Sequence, residues 1–131
     1  MSEHRARIGE ADLTLDCFPY GSHTTASDML WAGVPLVAWR GETFASRVSA
    51  SVLEAAGLAD LIAASRDDCF RLCLRLATDS EEILRVKSRV KAARASALFD
   101  TARFTRKLER AFEITWERHR AELSPDQVTV A

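Results

Sequence analysis

The stretch "GSHTTASD" places His23, Thr24 and Thr25 just ahead of Asp28. These residues fall in a polar turn between two apolar runs, where a structural connector could be shorter and less polar. A helix N-terminus carries N–H groups without intrahelical partners and the positive end of the helix dipole. If a helix begins here, Thr24 and Thr25 add two hydroxyl donors, a setting suited to phosphate oxygens. Asp28 lies four residues after Thr24 and three after Thr25, so all three share one helix face. A carboxylate does not grip phosphate, but it accepts two hydrogen bonds from a vicinal diol such as ribose. Phosphate donors beside a diol acceptor describe a nucleotide site. The same residues equally fit a plain helix start, with the threonines as caps, Asp28 as a favourable charge and His23 as a loop residue.

The flanking elements decide where such a turn would sit. Residues 11–16, "ADLTLD", alternate apolar and polar and predict a strand, broken afterwards by Pro19 and Gly21. Residues 23–32 predict a helix closed by Gly33. "VPLVAW" predicts a second strand, apolar enough for a parallel sheet buried on both faces. "GET" makes another turn, and residues 44–56 predict a helix with Phe44, Val48, Val52 and Ala55 as its core stripe. Gly57 closes that helix, and "LADLIA" predicts a short third strand. The remainder predicts three helices. Residues 66–78 would bury Phe70, Cys73, Leu74 and Ala77, and residues 80–96 would bury Ile83, Val86, Val90 and Ala93. Residues 101–122, capped by Asp100, carry a stripe of Phe104, Leu108, Phe112 and Trp116. The alternation indicates an α/β sheet, with ligands at the carboxyl ends of its strands. Both polar turns, 17–25 and 40–43, leave such ends.

Composition narrows the class. The 131 residues suit one domain and contain 47% hydrophobic residues, ordinary for a globular protein. The expected division is residues 1–122 as the domain and 123–131 as a flexible tail. The net charge of −1 gives no polyanion signal, and the basic residues of 80–96 read as a solvated face, so no nucleic-acid partner is expected. No apolar run approaches the roughly 18 residues that span a membrane, and the first residues lack the apolar core of a signal peptide. The expectation is a cytoplasmic chain without a membrane partner. Cys17, Cys69 and Cys73 make no disulfide framework, and Cys69 with Cys73 read as buried small hydrophobes rather than metal ligands.

In order along the chain, "HTT", "D..W.G.P" and "GETFASRV" closely resemble the catalytic region of the O-GlcNAc transferase and SPINDLY-like glycosyltransferases. "LFDTARFTRKLERAFEITWERH" looks like the C-terminal end of the same family, and the likeness covers about residues 3–121. It implies part of the Rossmann-like C-terminal lobe of a two-lobed GT-B glycosyltransferase, parallel strands followed by several helices. It implies inverting transfer from a nucleotide sugar, UDP-GlcNAc foremost, to Ser or Thr of a protein acceptor, without metal or other cofactor. His23, Thr24 and Thr25 would meet the donor diphosphate, Asp28 the ribose, and His4 the base. No catalytic base is identified. The family's tetratricopeptide repeats, N-terminal lobe and the start of its C-terminal lobe have no counterpart in these residues. The chain therefore reads as part of such an enzyme, encoded as a fragment or acting with a separate polypeptide that carries them. The alternative is a nucleotide-sugar-binding relic without turnover. Gly21 stands where asparagine is usual, Arg40 where proline is usual, Glu10 where an apolar residue is usual, and Thr14 in a strand usually more hydrophobic.

Overall fold

The computed structural model describes residues 2–130 in two compact units, Met1–Leu98 and Phe99–Ala131. The first unit begins with helix α1 (Ser2–Ile8) and holds a three-stranded sheet: β1 (Thr14–Leu15), β2 (Leu36–Trp39) and β3 (Ile62–Ala63). The strand order is β1-β2-β3 and both pairings are parallel, with Thr14 opposite Leu36 and Ala38 opposite Ile62. The helices are α2 (Thr24–Ala32), α3 (Val48–Ala55), α4 (Arg66–Thr78) and α5 (Ser80–Ala92). Short 3-10 turns follow at Ala59–Leu61 and Ala93–Ala95.

Central strand β2 carries the core. Leu36, Val37 and Ala38 have no exposed surface, as a continuous apolar run in a parallel sheet requires. Leu30 of α2, Leu53 of α3, Leu61, Leu76 of α4 and Val90 of α5 are buried with them. Strand β1 is shorter than "ADLTLD" predicts. It is an edge strand tied by Thr14 N–H to the Pro35 carbonyl (2.8 Å) and Asp16 N–H to the Val37 carbonyl (3.0 Å).

Helix α2 follows the sequence closely. Ala26 and Leu30 face inward at a four-residue step, and Gly33 ends the helix at φ 87°, a left-handed conformation that glycine adopts without steric cost. At the same end, Arg94 Nε donates to the Trp31 carbonyl at 2.8 Å, placing a cation where the helix dipole is negative.

Two core stripes differ from expectation. The inner face of α3 is Ser49, Ala50 and Leu53, not Phe44, Val48, Val52 and Ala55. Those four residues instead line an open groove of about 700 Å³ with Leu98, and Phe44 is 81% exposed. In α4 only Leu76 is fully buried, while Phe70 and Leu74 are exposed. Both helices carry apolar residues around much of their circumference. Periodicity finds an apolar stripe but does not choose between neighbouring ones. Cys69 and Cys73 are half-buried, and burial, followed by the neighbouring Cys69, pushes the Cys73 thiol up to about 11. Helix α5 buries Val86 and Val90 as predicted.

The second unit is one long helix, α6 (Thr101–Arg120), and the segment after it. The Asp100 carboxylate accepts from Arg103 N–H at 2.9 Å, as a helix cap does. No residue of α6 is buried, and Phe104, Phe112 and Trp116 are all exposed. No described helix is long and apolar enough to cross a membrane.

Candidate functional site

Parallel pairing sends the turns after β1 and β2 to the same edge of the sheet, where they meet. The first turn runs from Asp16 to His23 and contains a cis Phe18–Pro19 peptide. It is held both from within and from outside. Asp16 Oδ1 accepts from Ser22 N–H at 2.7 Å, and the buried Ser49 hydroxyl donates to the Ser22 carbonyl at 2.7 Å. Gly21 N–H donates to the Ala45 carbonyl at 3.0 Å. A Cβ at Gly21 would lie 2.9 Å from Ser49 Oγ and 3.0 Å from Asp16 Oδ2. A side chain at this position would therefore press on both of those side chains, and they would have to shift to admit it.

His23 is the N-cap of α2, and its side chain makes no cap hydrogen bond. Its Nε2 lies 3.3 Å from the Ala45 carbonyl, which fits an Nε2–H tautomer donating to that oxygen. The imidazole stacks on Tyr20, with centroids 5.0 Å apart and planes at 12°, and meets Phe44 edge-on at 6.0 Å. Thr24 and Thr25 are exposed on the first turn of α2, and Asp28 is half-buried one turn further on. No acidic residue occupies that first turn, so nothing in it opposes an incoming anion.

The second turn satisfies itself. Thr43 N–H donates to Ser46 Oγ at 3.1 Å, Ser46 Oγ–H to the Thr43 carbonyl at 3.0 Å, and Gly41 N–H to the Ser46 carbonyl at 3.1 Å. Arg40 pairs with Glu54 on α3.

These residues sit in a chain with clear relatives. Residues 1–108 match glycosyl transferase family 41.

The chain belongs to that family.

A UDP-N-acetylglucosamine--peptide N-acetylglucosaminyltransferase of Caenorhabditis elegans is 34% identical over 97% of this chain and 11% of its own length. A probable enzyme of the same description, SPINDLY of Petunia hybrida, is 33% identical over 89% of this chain and 13% of its own length. A solved mutant O-GlcNAc transferase of Thermobaculum terrenum superposes with a TM-score of 0.81 at 30% identity, covering 88% of this chain and 22% of that one. The chain thus spans about one ninth to one eighth of the curated relatives' length and less than a quarter of the solved one. Its sheet and helices match the C-terminal lobe of a GT-B glycosyltransferase, as the sequence led one to expect.

Within this family 41 fold, four of the five expected site residues come together: His23, Thr24, Thr25 and Asp28 share the start of α2. His4 is exposed on α1, beside Glu3, Ala6, Arg7 and Glu10. Helix α1 packs against α2. Sequence reasoning missed Asp16 and Ser49, which hold the turn, and Tyr20 and Phe44, which flank His23. A polar residue ending a strand just before the turn, and a serine on the inner face of α3, were the available signals. Among the described residues, no three His, Cys, Asp or Glu side chains cluster to hold a metal ion.

Proposed function

We propose that this chain binds a nucleotide sugar, UDP-GlcNAc by the description of its relatives, as the donor half of a protein glycosyltransferase. The observation that carries the reading is the start of α2. It is held at the carboxyl edge of a parallel sheet, carries no side-chain cap, and displays Thr24 and Thr25 with Asp28 one turn on. In this reading the diphosphate lies on the first turn of α2, with the threonine hydroxyls and the backbone N–H groups as its donors and His23 beside it. The Asp28 carboxylate accepts from the ribose diol, and His4 is the residue assigned to the base. Donors already fixed at the leaving diphosphate lower the cost of developing negative charge there, without a metal. Sugar transfer to a protein Ser or Thr also requires an acceptor held in line. We assign that task, and the remaining catalytic groups, to further polypeptide of the kind that makes up most of each relative's length.

The test is calorimetric titration with UDP and its deoxyribose analogue. Replacing Thr24 and Thr25 together by Val should weaken UDP binding by about 1.5–3 kcal/mol for each charge-assisted hydrogen bond lost. Asp28→Ala should abolish the preference for UDP over the deoxy analogue. Unchanged affinity in both variants would refute the assignment. Incubated with UDP-GlcNAc and acceptor peptides, the isolated chain should form no glycopeptide. Product above that of the double threonine variant would contradict this part of the proposal.

A further inference from the structure

Two apolar surfaces of the chain lie open, one a groove and the other a helix face. The groove follows α3 and is lined by Phe44, Val48, Val52 and Leu98, with Glu42 and Arg47 as its charged residues. The helix face is the stripe of α6, where Phe104, Phe112 and Trp116 are 64%, 65% and 60% exposed and Leu108 is exposed beside them. Large apolar side chains gathered on one exposed face mark an interaction surface rather than the scattered exposure common to all proteins.

The two surfaces match in geometry. The stripe of α6 advances in steps of four residues, and so do Val48 and Val52 on α3. Such rows form inclined ridges, and two helices that interlock them cross at about −50°, the commonest packing in globular proteins. The surfaces also match in charge. Each residue turns the helix by about 100°, so Lys107 and Glu109 border Leu108 on opposite sides. The groove offers one acid and one base, Glu42 and Arg47, to meet them. Independently of the nucleotide reading, we propose that α6 of one copy of this chain docks in the α3 groove of a second copy, with Lys107 toward Glu42 and Glu109 toward Arg47. A helix laid apolar face down in a groove is a recurring mode of recognition. The pairing is reciprocal about a two-fold axis, so each copy gives a helix and receives one, and the contact is made twice. The docked helix also covers Phe44, the ring that meets His23 edge-on.

Sedimentation velocity of the full chain tests the pairing. The wild type should form a dimer with a dissociation constant on the order of 1–10 μM. Phe112→Ser on the helix and Val52→Glu in the groove should each raise that constant at least about tenfold. Circular dichroism spectra like that of the wild type would show both variants folded. Glu42→Lys and Lys107→Glu should each weaken the dimer about three- to tenfold, because each contact occurs twice. Combined in one chain, they should restore the constant to within about twofold of the wild-type value. Phe70→Ser, at an exposed apolar residue of α4, should leave the dimer unchanged. A wild type that is monomeric at every concentration overturns the proposal. So does a dimer that survives Val52→Glu, one that Phe70→Ser disperses, or one that the combined charge reversal fails to restore.

Discussion

The turns before α2 and α3 occupy the same place in the fold, each leaving the carboxyl end of a parallel strand and each rich in polar residues. They use those residues in opposite ways. The turn at 40–47 satisfies itself through Thr43, Ser46 and Gly41. The turn at 16–23 is held at one point by its own first residue, Asp16, and otherwise from outside, by Ser49 and Ala45 from α3 and its approach. Its own outward groups, Thr24 and Thr25, remain exposed. Polarity at this edge of a sheet therefore does not by itself mark a site. The distinction lies in whether the polar groups are already committed to the chain. Here the second turn is the brace and the first is the surface it supports.

The comparison is most severely tested at Gly21. Gly21→Val should push the first turn off Ser49 and Asp16 and lower UDP affinity at least tenfold. A far-ultraviolet circular dichroism spectrum like that of the wild type would show the fold retained. The overpacking should also cost about 1–3 kcal/mol of stability, read by urea unfolding. The same substitution strategy separates support from contact at Asp16. Asp16→Ala should weaken UDP binding several-fold, because Ser22 N–H loses its acceptor. Asp16→Asn should restore it, since an amide oxygen still accepts and one negative charge near the diphosphate is gone. A purely charge-based role would make both variants bind more tightly.

Ser46→Ala provides the contrast on the second turn. Ser46 is 4% exposed, and its loss should cost about 1–2 kcal/mol of stability while leaving the UDP dissociation constant within about twofold. A large loss of UDP affinity would mean that this turn also meets the ligand. The smallest effect is expected far from both turns, at Asp60. Hydrogen bonds from Arg89 hold its carboxyl below the ordinary value of 3.8, opposed by partial burial. A carboxyl depressed in the folded state stabilises at pH above its unfolded value and loses that contribution as the pH falls through the folded one. The pair is half-exposed, so Asp60→Asn should cost under about 1 kcal/mol at pH 7, and that cost should shrink as the pH falls through the folded value. A difference that persists at low pH would show that the pair is not the cause.

Much of this arrangement could be read before the structure. The α2 helix, its glycine stop, the parallel order and the common edge for both turns follow from apolar runs and their breakers. The wrong inner faces of α3 and α4 have one origin: Val48 and Val52 lie next to Ser49 and Leu53 on the helix surface. A serine on the inner face gives no apolar signal, and its worth depends on the Ser22 carbonyl, 27 residues away in sequence. Tyr20 likewise carried no periodic signal, and only its stacking on His23 gives it a place. Local pattern encodes helices and strands, whereas the contacts that hold the site cross between elements.

The central claim, that the ligand lies on the first turn of α2, is met most directly by amide NMR shifts of the 15N-labelled chain during UDP titration. The largest shifts should fall at Ser22 to Ala26 and at Asp28, saturating together with one dissociation constant. Resonances of Val48, Ser51, Val52 and Ala55, which line the apolar groove, should move little. Shifts concentrated in that groove, with Ser22 to Asp28 unmoved at saturation, would contradict the account.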